Sequence, residues 1–492
     1  MHAKALTAAL LVSAACSGSA LAADTTISLD DRKSLSLTVY SGDMALVRDT
    51  RTVSVDAGRN VLSFVDVAAQ IQAETALIKG APFDVIEQNF DFDLLSPDKL
   101  LEKAVGRTVK LYRTNPSTGA ETVEDAVVLG ASGGVVLKVA DRIEVMQGLS
   151  TPNTRLVFDS LPPNLRSRPT LSMTVDAARA DSRDLMLTYL TGGLGWKADY
   201  VANLSPDEKS LSLQGWITLT NTSGTAYKDA RLQVVAGEVN QVRNQMMRGK
   251  REYAAAPVAV TAMSDSSITP ESFFAYQLYT IPVPVTLAEN QTKQISMLEA
   301  PRVAATRVLE SFDGGGWIWS EMNGEPAPDH PAVTLKFQNR DQDGLGKPLP
   351  GGAVRVYKED ARGQTQYVGA NTIQHTPKNE KVDLPLGEDF DVTVRRIQKS
   401  FQLEQETHPT RKLRDGQPVM INVSTSTWEM QVKNGKKEPV EVRLINQISD
   451  DWKITEENLP HVKETASRAV WTVKVPAEGE TTVRYSMVVR QR

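Results

Sequence analysis

The sequence predicts an all-β protein, a multi-unit β-sandwich of immunoglobulin-like hairpin units behind an N-terminal β domain that contains one short helix. Three observations predict it. A strand-turn-strand pattern is written three times, most of the remaining chain alternates apolar and polar residues with period 2, and no long stretch carries the 3.6-residue period of a helix. The first copy of the pattern runs from Trp216 to Asn221, turns through Thr222-Ser223-Gly224 and resumes at Leu232 to Gly237. The second runs from Val333 to Asn339, passes a Gly-rich turn and resumes at Ala353 to Tyr357. The third runs from Trp428 to Asn434, turns through Gly435-Lys436-Lys437 and resumes at Val440 to Leu444. Each first strand ends at an Asn, whose short amide bonds nearby backbone and suits a turn. The spacing predicts three antiparallel hairpins.

The elements follow in order. Residues 1–22 read as an export signal, with Lys4 as the positive start, an apolar run from Ala5 to Ala15 too short to span a bilayer, and cleavage between Ala22 and Ala23 after the small-residue site Ala20-Leu21-Ala22. An N-terminal β-rich domain is predicted over 23–182. Leu35, Leu37 and Val39 alternate with polar neighbours, Ala45 to Val55 and Asn60 to Val67 flank the turn Asp56-Ala57-Gly58, and strands follow at Thr75 to Lys79 and Phe83 to Phe92. Ser96-Pro97-Asp98 opens the short helix, with Ser as N-cap and Pro at the first helical position, and Gly106 closes it. Strands resume from Thr108 to Met146 and again at Leu171 to Val175 and Leu185 to Leu190. A central sandwich region is predicted over 183–418, with an exposed insertion at about 237–272 where Arg243, Arg248, Lys250 and Arg251 interrupt the β rhythm. A C-terminal immunoglobulin-like unit is predicted over 419–492.

Composition narrows the function. The formal net charge is −5, from 55 basic and 60 acidic residues, which gives no field suited to nucleic acid. No segment after the signal has the apolar length of a transmembrane helix. The single cysteine, Cys16, lies inside the signal, so disulfide and thiolate chemistry are not expected of the mature chain. Cys16 is also the one residue that a lipid anchor would use, although Ser13 stands where a lipobox has an aliphatic residue.

Several segments together resemble a family of exported bacterial proteins named after a mucoidy inhibitor, which carry a domain of unknown function. The resemblance runs through Leu187-Thr188-Tyr189, Trp196, Tyr200, the strand ending at Asn221, and Phe274 to Pro282. It is densest over Gly346 to Tyr357, followed by Tyr367-Val368-Gly369, Ile373 to Pro377, Val432-Lys433-Asn434 and Trp452. The strands from Leu35 to Gly80 look like that family's N-terminal β segment, and no heptads mark the coiled coil that many members place between the two parts. The resemblance implies a β-rich exported protein and brings no catalytic residues.

The local motifs have simpler readings. Gly130-Ala131-Ser132-Gly133-Gly134 matches the serine-hydrolase string, but alternating strands on both sides predict a hairpin turn instead. Asn339 to Gly344 imitates the opening of a calcium loop, yet Pro350 occupies the twelfth position, where a Glu is needed. His330, His375, His408 and His461 show no metal-ligand spacing. Trp317 and Trp319 lie at strand spacing and would share a face, either as a stacking surface for a ligand or as core; the other five tryptophans are assigned to cores. No catalytic, cofactor or metal residues are predicted. The expected protein is a non-enzymatic, exported binding or scaffolding protein of the cell envelope, periplasmic or at the cell surface, with an envelope protein or polysaccharide as partner. The alternatives are an envelope hydrolase with a site assembled from loops, and a surface-anchored lipoprotein.

Overall fold

In the computed structural model the alternating segments are strands, and their apolar faces meet in sandwich cores. The structure describes residues 23–80, 83–91, 97–147, 150–151, 153–160, 168–237, 268–322, 324–412, 414–415 and 417–491. Among the described residues the only α-helix is Pro97–Lys103, so the all-β class holds. Two units form. One is built by residues up to Gly195 with Thr220–Gln233 and Val283–Gln291; the other by Trp196–Leu219, Val234–Pro282 and Thr292–Arg492. Residues 1–22 and 238–267, and with them Cys16, Ala22 and the basic stretch of the expected insertion, lie outside the described residues. The end of that expected insertion is a strand, Thr269–Phe273, paired antiparallel with Tyr276–Thr280.

In the first unit the strand Gly58–Val65 lies between Ala23–Ile27, which runs parallel to it, and Thr170–Ala177, which runs antiparallel. A meander of Thr108–Thr114, Glu121–Gly130, Val135–Val139 and Arg142–Met146 packs Leu111, Val128 and Leu137 against Leu101 of the helix and the adjoining Ala104. A further sheet holds Met44–Val55 between Arg32–Tyr40 and Asp181–Thr191. Here alternation is broken by charge, because Asp49 and Arg51 point inward and are 1% and 0% exposed. Arg32 clamps the Asp49 carboxylate through Nε and Nη2 at 2.9 and 2.8 Å, and Arg51 donates to it through Nε and Nη2 at 3.0 and 2.8 Å. The remaining Arg51 nitrogen donates to the Ile27 and Val65 carbonyls, tying three strands to one guanidinium. Burial opposes ionisation of Asp49, but the two guanidiniums override it and hold its carboxyl below the usual range.

The core of the second unit is aromatic. Trp428, Trp471 and Tyr485 are at most 2% exposed, with Trp452, Met430, Val432 and Leu444 around them. The Trp471 and Tyr485 rings lie 4.6 Å apart. Trp196, Trp428, Trp452 and Trp471 are buried as expected, whereas Trp216 is half-buried. Ile217 and Leu219 take one face of the strand Ser210–Asn221 and Trp216 the other, where Thr218 is buried in a hydrogen bond to Asp199 while Trp216 keeps part of its surface exposed.

The three repeated segments correct the hairpin expectation. No first strand pairs with its successor. Ala332–Gln338 pairs with Gln291–Asp313 and Lys381–Glu388, while Gly352–Glu359 pairs with Leu194–Leu204 and Thr365–Ile373. Pro418–Asn434 pairs with Val392–Lys412 and Gly479–Arg490, while Val440–Gln447 joins Gln291–Asp313 and Arg468–Val475. Ser210–Asn221 and Tyr227–Ala236 likewise belong to different sheets. Each terminal Asn is the reason. Asn434 donates to the Glu438 and Pro476 carbonyls and accepts from the Lys436 amide. Asn221 donates to the Thr225 and Ala288 carbonyls and accepts from the Ser223 amide and hydroxyl. Asn339 donates to Lys347, Thr376 and Pro377 and accepts from Gly346. All three are nearly fully buried, so the side chain satisfies backbone groups that a hairpin would have paired, and the chain departs to another sheet.

Candidate functional site

The second unit carries a cleft of about 930 Å³ lined by four separated segments. Its first wall is the turn after Leu194–Leu204. Ser205 donates to Asp207 at 2.6 Å and accepts from the Ser210 amide, and this tight closure puts Glu208 in the left-handed region at φ 58°. The strand Gln291–Asp313 supplies Arg307, Ala332–Gln338 supplies Lys336 and Phe337, the loop beyond Asn339 supplies Arg340 and Asp343, and Lys381–Glu388 supplies Lys381 and Asp383. Antiparallel register sets Lys336 opposite Asp383, with 3.1 Å between Nζ and Oδ2.

Part of this charge is already spent on structure. Arg307 donates to Glu208 at 3.1 Å and to Asp389 at 2.8 Å. Lys358 closes on Glu208 at 2.5 Å and Lys436 on Asp389 at 2.5 Å, giving an unbroken chain from Lys358 to Lys436. Burial opposes ionisation of Glu208, but Lys358 and Arg307 outweigh it and keep its carboxyl below the usual range. Lys336 is held by Glu310 at 2.9 Å as well as by Asp383. Asp389 is 4% exposed and takes two cations, so removing it strands both. Asp389→Ala is expected to lower unfolding free energy by about 2 kcal/mol, a buried-pair loss reduced by the partial exposure of its partners, measured by urea titration.

The other cleft cations are not so engaged. Among the described residues Lys209, Arg340 and Lys381 form no ion pair, and Lys209 and Lys381 are exposed. The cleft therefore presents three cations outside ion-pair distance of any described carboxylate, Arg340, Lys381 and Lys209, the last of them near enough to Asp207 to help the Ser205 hydroxyl hold its carboxyl below the usual range, with Ala304 and Val308 as apolar lining.

Apart from Arg340 and Asp343 of the Asn339–Gly344 segment, which line the cleft, the sequence motifs lie elsewhere. Trp317 and Trp319 do not share a strand face, because the chain turns at Gly315, where φ is 73° and a Cβ would stand 2.1 Å from the Gln447 carbonyl oxygen. Both are half-buried against the aromatic core; the Trp317 ring lies tilted against Trp428, centroids 4.0 Å apart, and its indole donates to Asp313 at 2.5 Å. Gly130 to Gly134 forms the turn between two paired strands. Asp341–Asp343 is a single 3-10 turn in which Asp341 pairs with Lys378, and Asn339 is turned inward to the backbone. His375 accepts from the Gly351 amide of the facing segment, beside the Leu349–Thr376 bridge, and His408 accepts from the Arg411 amide three residues on. His330 meets the Asp389 and Val392 carbonyls. His461 pairs with Glu457 at 2.9 Å between the rings of Trp452 and Trp471. Sequence reasoning missed the cleft, because its residues come from positions 207 to 383 with no shared local pattern; the signals were the Asp-Glu-Lys run at 207–209 between two alternating strands and the polar segment Asn339 to Gly344, read there only against a calcium loop.

No curated protein matches this chain. The family model described as "Domain of unknown function (DUF4139)" matches residues 185–491, and the chain belongs to that family.

Proposed function

We propose that this protein is an exported envelope protein that binds or scaffolds a partner without chemical turnover, and that it stands with the mucoidy-inhibitor-like proteins its sequence resembles. The observation that supports binding is the cleft, where Lys209, Arg340 and Lys381 converge with no ion-pair partner among the described residues. Cations left unpaired beside satisfied ones suit a ligand that supplies the missing charge. The signal anatomy of residues 1–22 supports export.

Two measurements test this reading. Intact mass of the protein from its native host is expected to match a chain that begins at Ala23, recovered in the envelope fraction. A full-length mass in the cytoplasm contradicts export, and a lipid-modified N-terminal Cys16 replaces the soluble reading with an anchored one. In parallel, the double variant Lys209→Glu, Lys381→Glu is expected to keep its melting temperature and lose the cross-linked partner that the wild type captures in the envelope. An unchanged cross-linking pattern contradicts a binding role for the cleft.

A further inference from the structure

We propose that the ligand of this cleft is an acidic polysaccharide, whose carboxylates are held by Lys209, Arg340 and Lys381. This rests on the binding reading above and names the ligand class of the same site. Three observations lead to it. Lys209, Arg340 and Lys381 stand outside ion-pair distance of any described carboxylate on a protein whose net charge is −5, so these cations are a local arrangement and not part of a general excess. Asp207 and Asp343 stand among those cations on the cleft wall. A wall that carries both cations and carboxylates fits a ligand that offers both anions and hydroxyl donors, as a chain of uronic acids does. Ala304 and Val308 add apolar surface for the C–H faces of the sugar rings.

Other polyanions fit less well. An acidic peptide offers Asp207 and Asp343 one backbone N–H per residue, fewer donors than the hydroxyls of a uronic-acid ring, and a phosphate chain has none. The cleft volume of about 930 Å³ is near the top of the range of about 300–1,000 Å³ for small-molecule sites, which suits several linked rings.

The test is titration calorimetry on the whole protein with four probes: polygalacturonate, its fully methyl-esterified form, dextran and poly-L-glutamate. Polygalacturonate is expected to bind, more weakly at high salt, and the triple variant Lys209→Gln, Arg340→Gln, Lys381→Gln is expected to bind it at least about ten-fold more weakly with an unchanged melting temperature. Lys433→Gln removes a cation that is paired with Glu480 outside the cleft, and it is expected to leave binding intact. Equal binding of the esterified polymer or of dextran overturns the role of the carboxylates. Tighter binding of poly-L-glutamate overturns the glycan in favour of an acidic peptide. An unchanged triple variant overturns the site. If polygalacturonate fails while Lys209→Glu, Lys381→Glu still abolishes partner cross-linking, the glycan assignment falls and the binding reading stands.

Discussion

Asp49→Ala is expected to be among the most damaging single substitutions in the first unit, lowering unfolding free energy by about 3–5 kcal/mol. The carboxylate is 1% exposed and receives four guanidinium hydrogen bonds from Arg32 and Arg51. Arg51 is 0% exposed, so without Asp49 its charge stays buried with only the Ile27 and Val65 carbonyls as partners. Strands Ala23–Ile27, Met44–Val55 and Gly58–Val65 meet at that guanidinium and loosen together. Chemical denaturation at neutral pH measures the loss, and a change under about 1 kcal/mol contradicts the triad as described. The same group gives a pH dependence with a definite sign. Its folded pKa lies below its unfolded value, which is about 3.9, so the stabilisation is fully present above that value and disappears as pH falls through the lowered folded pKa. Asp49→Asn is therefore expected to flatten the acid limb of the stability curve while lowering the neutral plateau.

The second large effect is expected at the repeated asparagines. Asn434→Ala removes both donors that satisfy the Glu438 and Pro476 carbonyls and the acceptor for the Lys436 amide, at a cost of about 3 kcal/mol. Asn434→Asp is expected to cost as much or more, because it preserves the shape and the acceptor but turns a carboxylate oxygen toward two carbonyls. Asn221 has the same bonding at the same offsets, two and four residues on, and the same ordering of variants is expected there. Thermal melts of the Ala and Asp variants measure it. If Asp were tolerated better than Ala at both positions, the donor role of these side chains would be wrong.

These corners also mark where sequence reasoning stops. Alternation places Leu35, Leu37 and Val39 inside, and Trp428 and Trp471 at a core, because a strand's faces are set locally. The Asn at the end of each repeated strand was legible as a turn residue. Which strand the chain pairs with next was not, since a two-sheet crossing and a hairpin begin with the same alternation and the same Asn. The inward charges of Asp49 and Arg51 were missed for a related reason: they stand in phase with Val47 and Val53 inside the polar run Arg48 to Thr52, and only the three strands that close around them show why that face can bury charge. The cleft was least legible, because Glu208, Arg307, Lys358, Asp389 and Lys436 form one chain of ion pairs from five distant segments. Trp317 and Trp319 show the opposite error. Their spacing implied a shared strand face, and Gly315 turns the chain before a strand can form.

The central claim is that the cleft of the second unit is where this protein meets its ligand. The most direct measurement is hydrogen–deuterium exchange of the whole protein with and without polygalacturonate. The account predicts slowed exchange confined to 205–210, 304–308, 336–343 and 381–383, the backbone that lines the cleft and carries Lys209, Arg340 and Lys381. Protection that falls instead on the exposed strand Thr365–Ile373, or on none of the cleft segments while the polymer is bound, would contradict it.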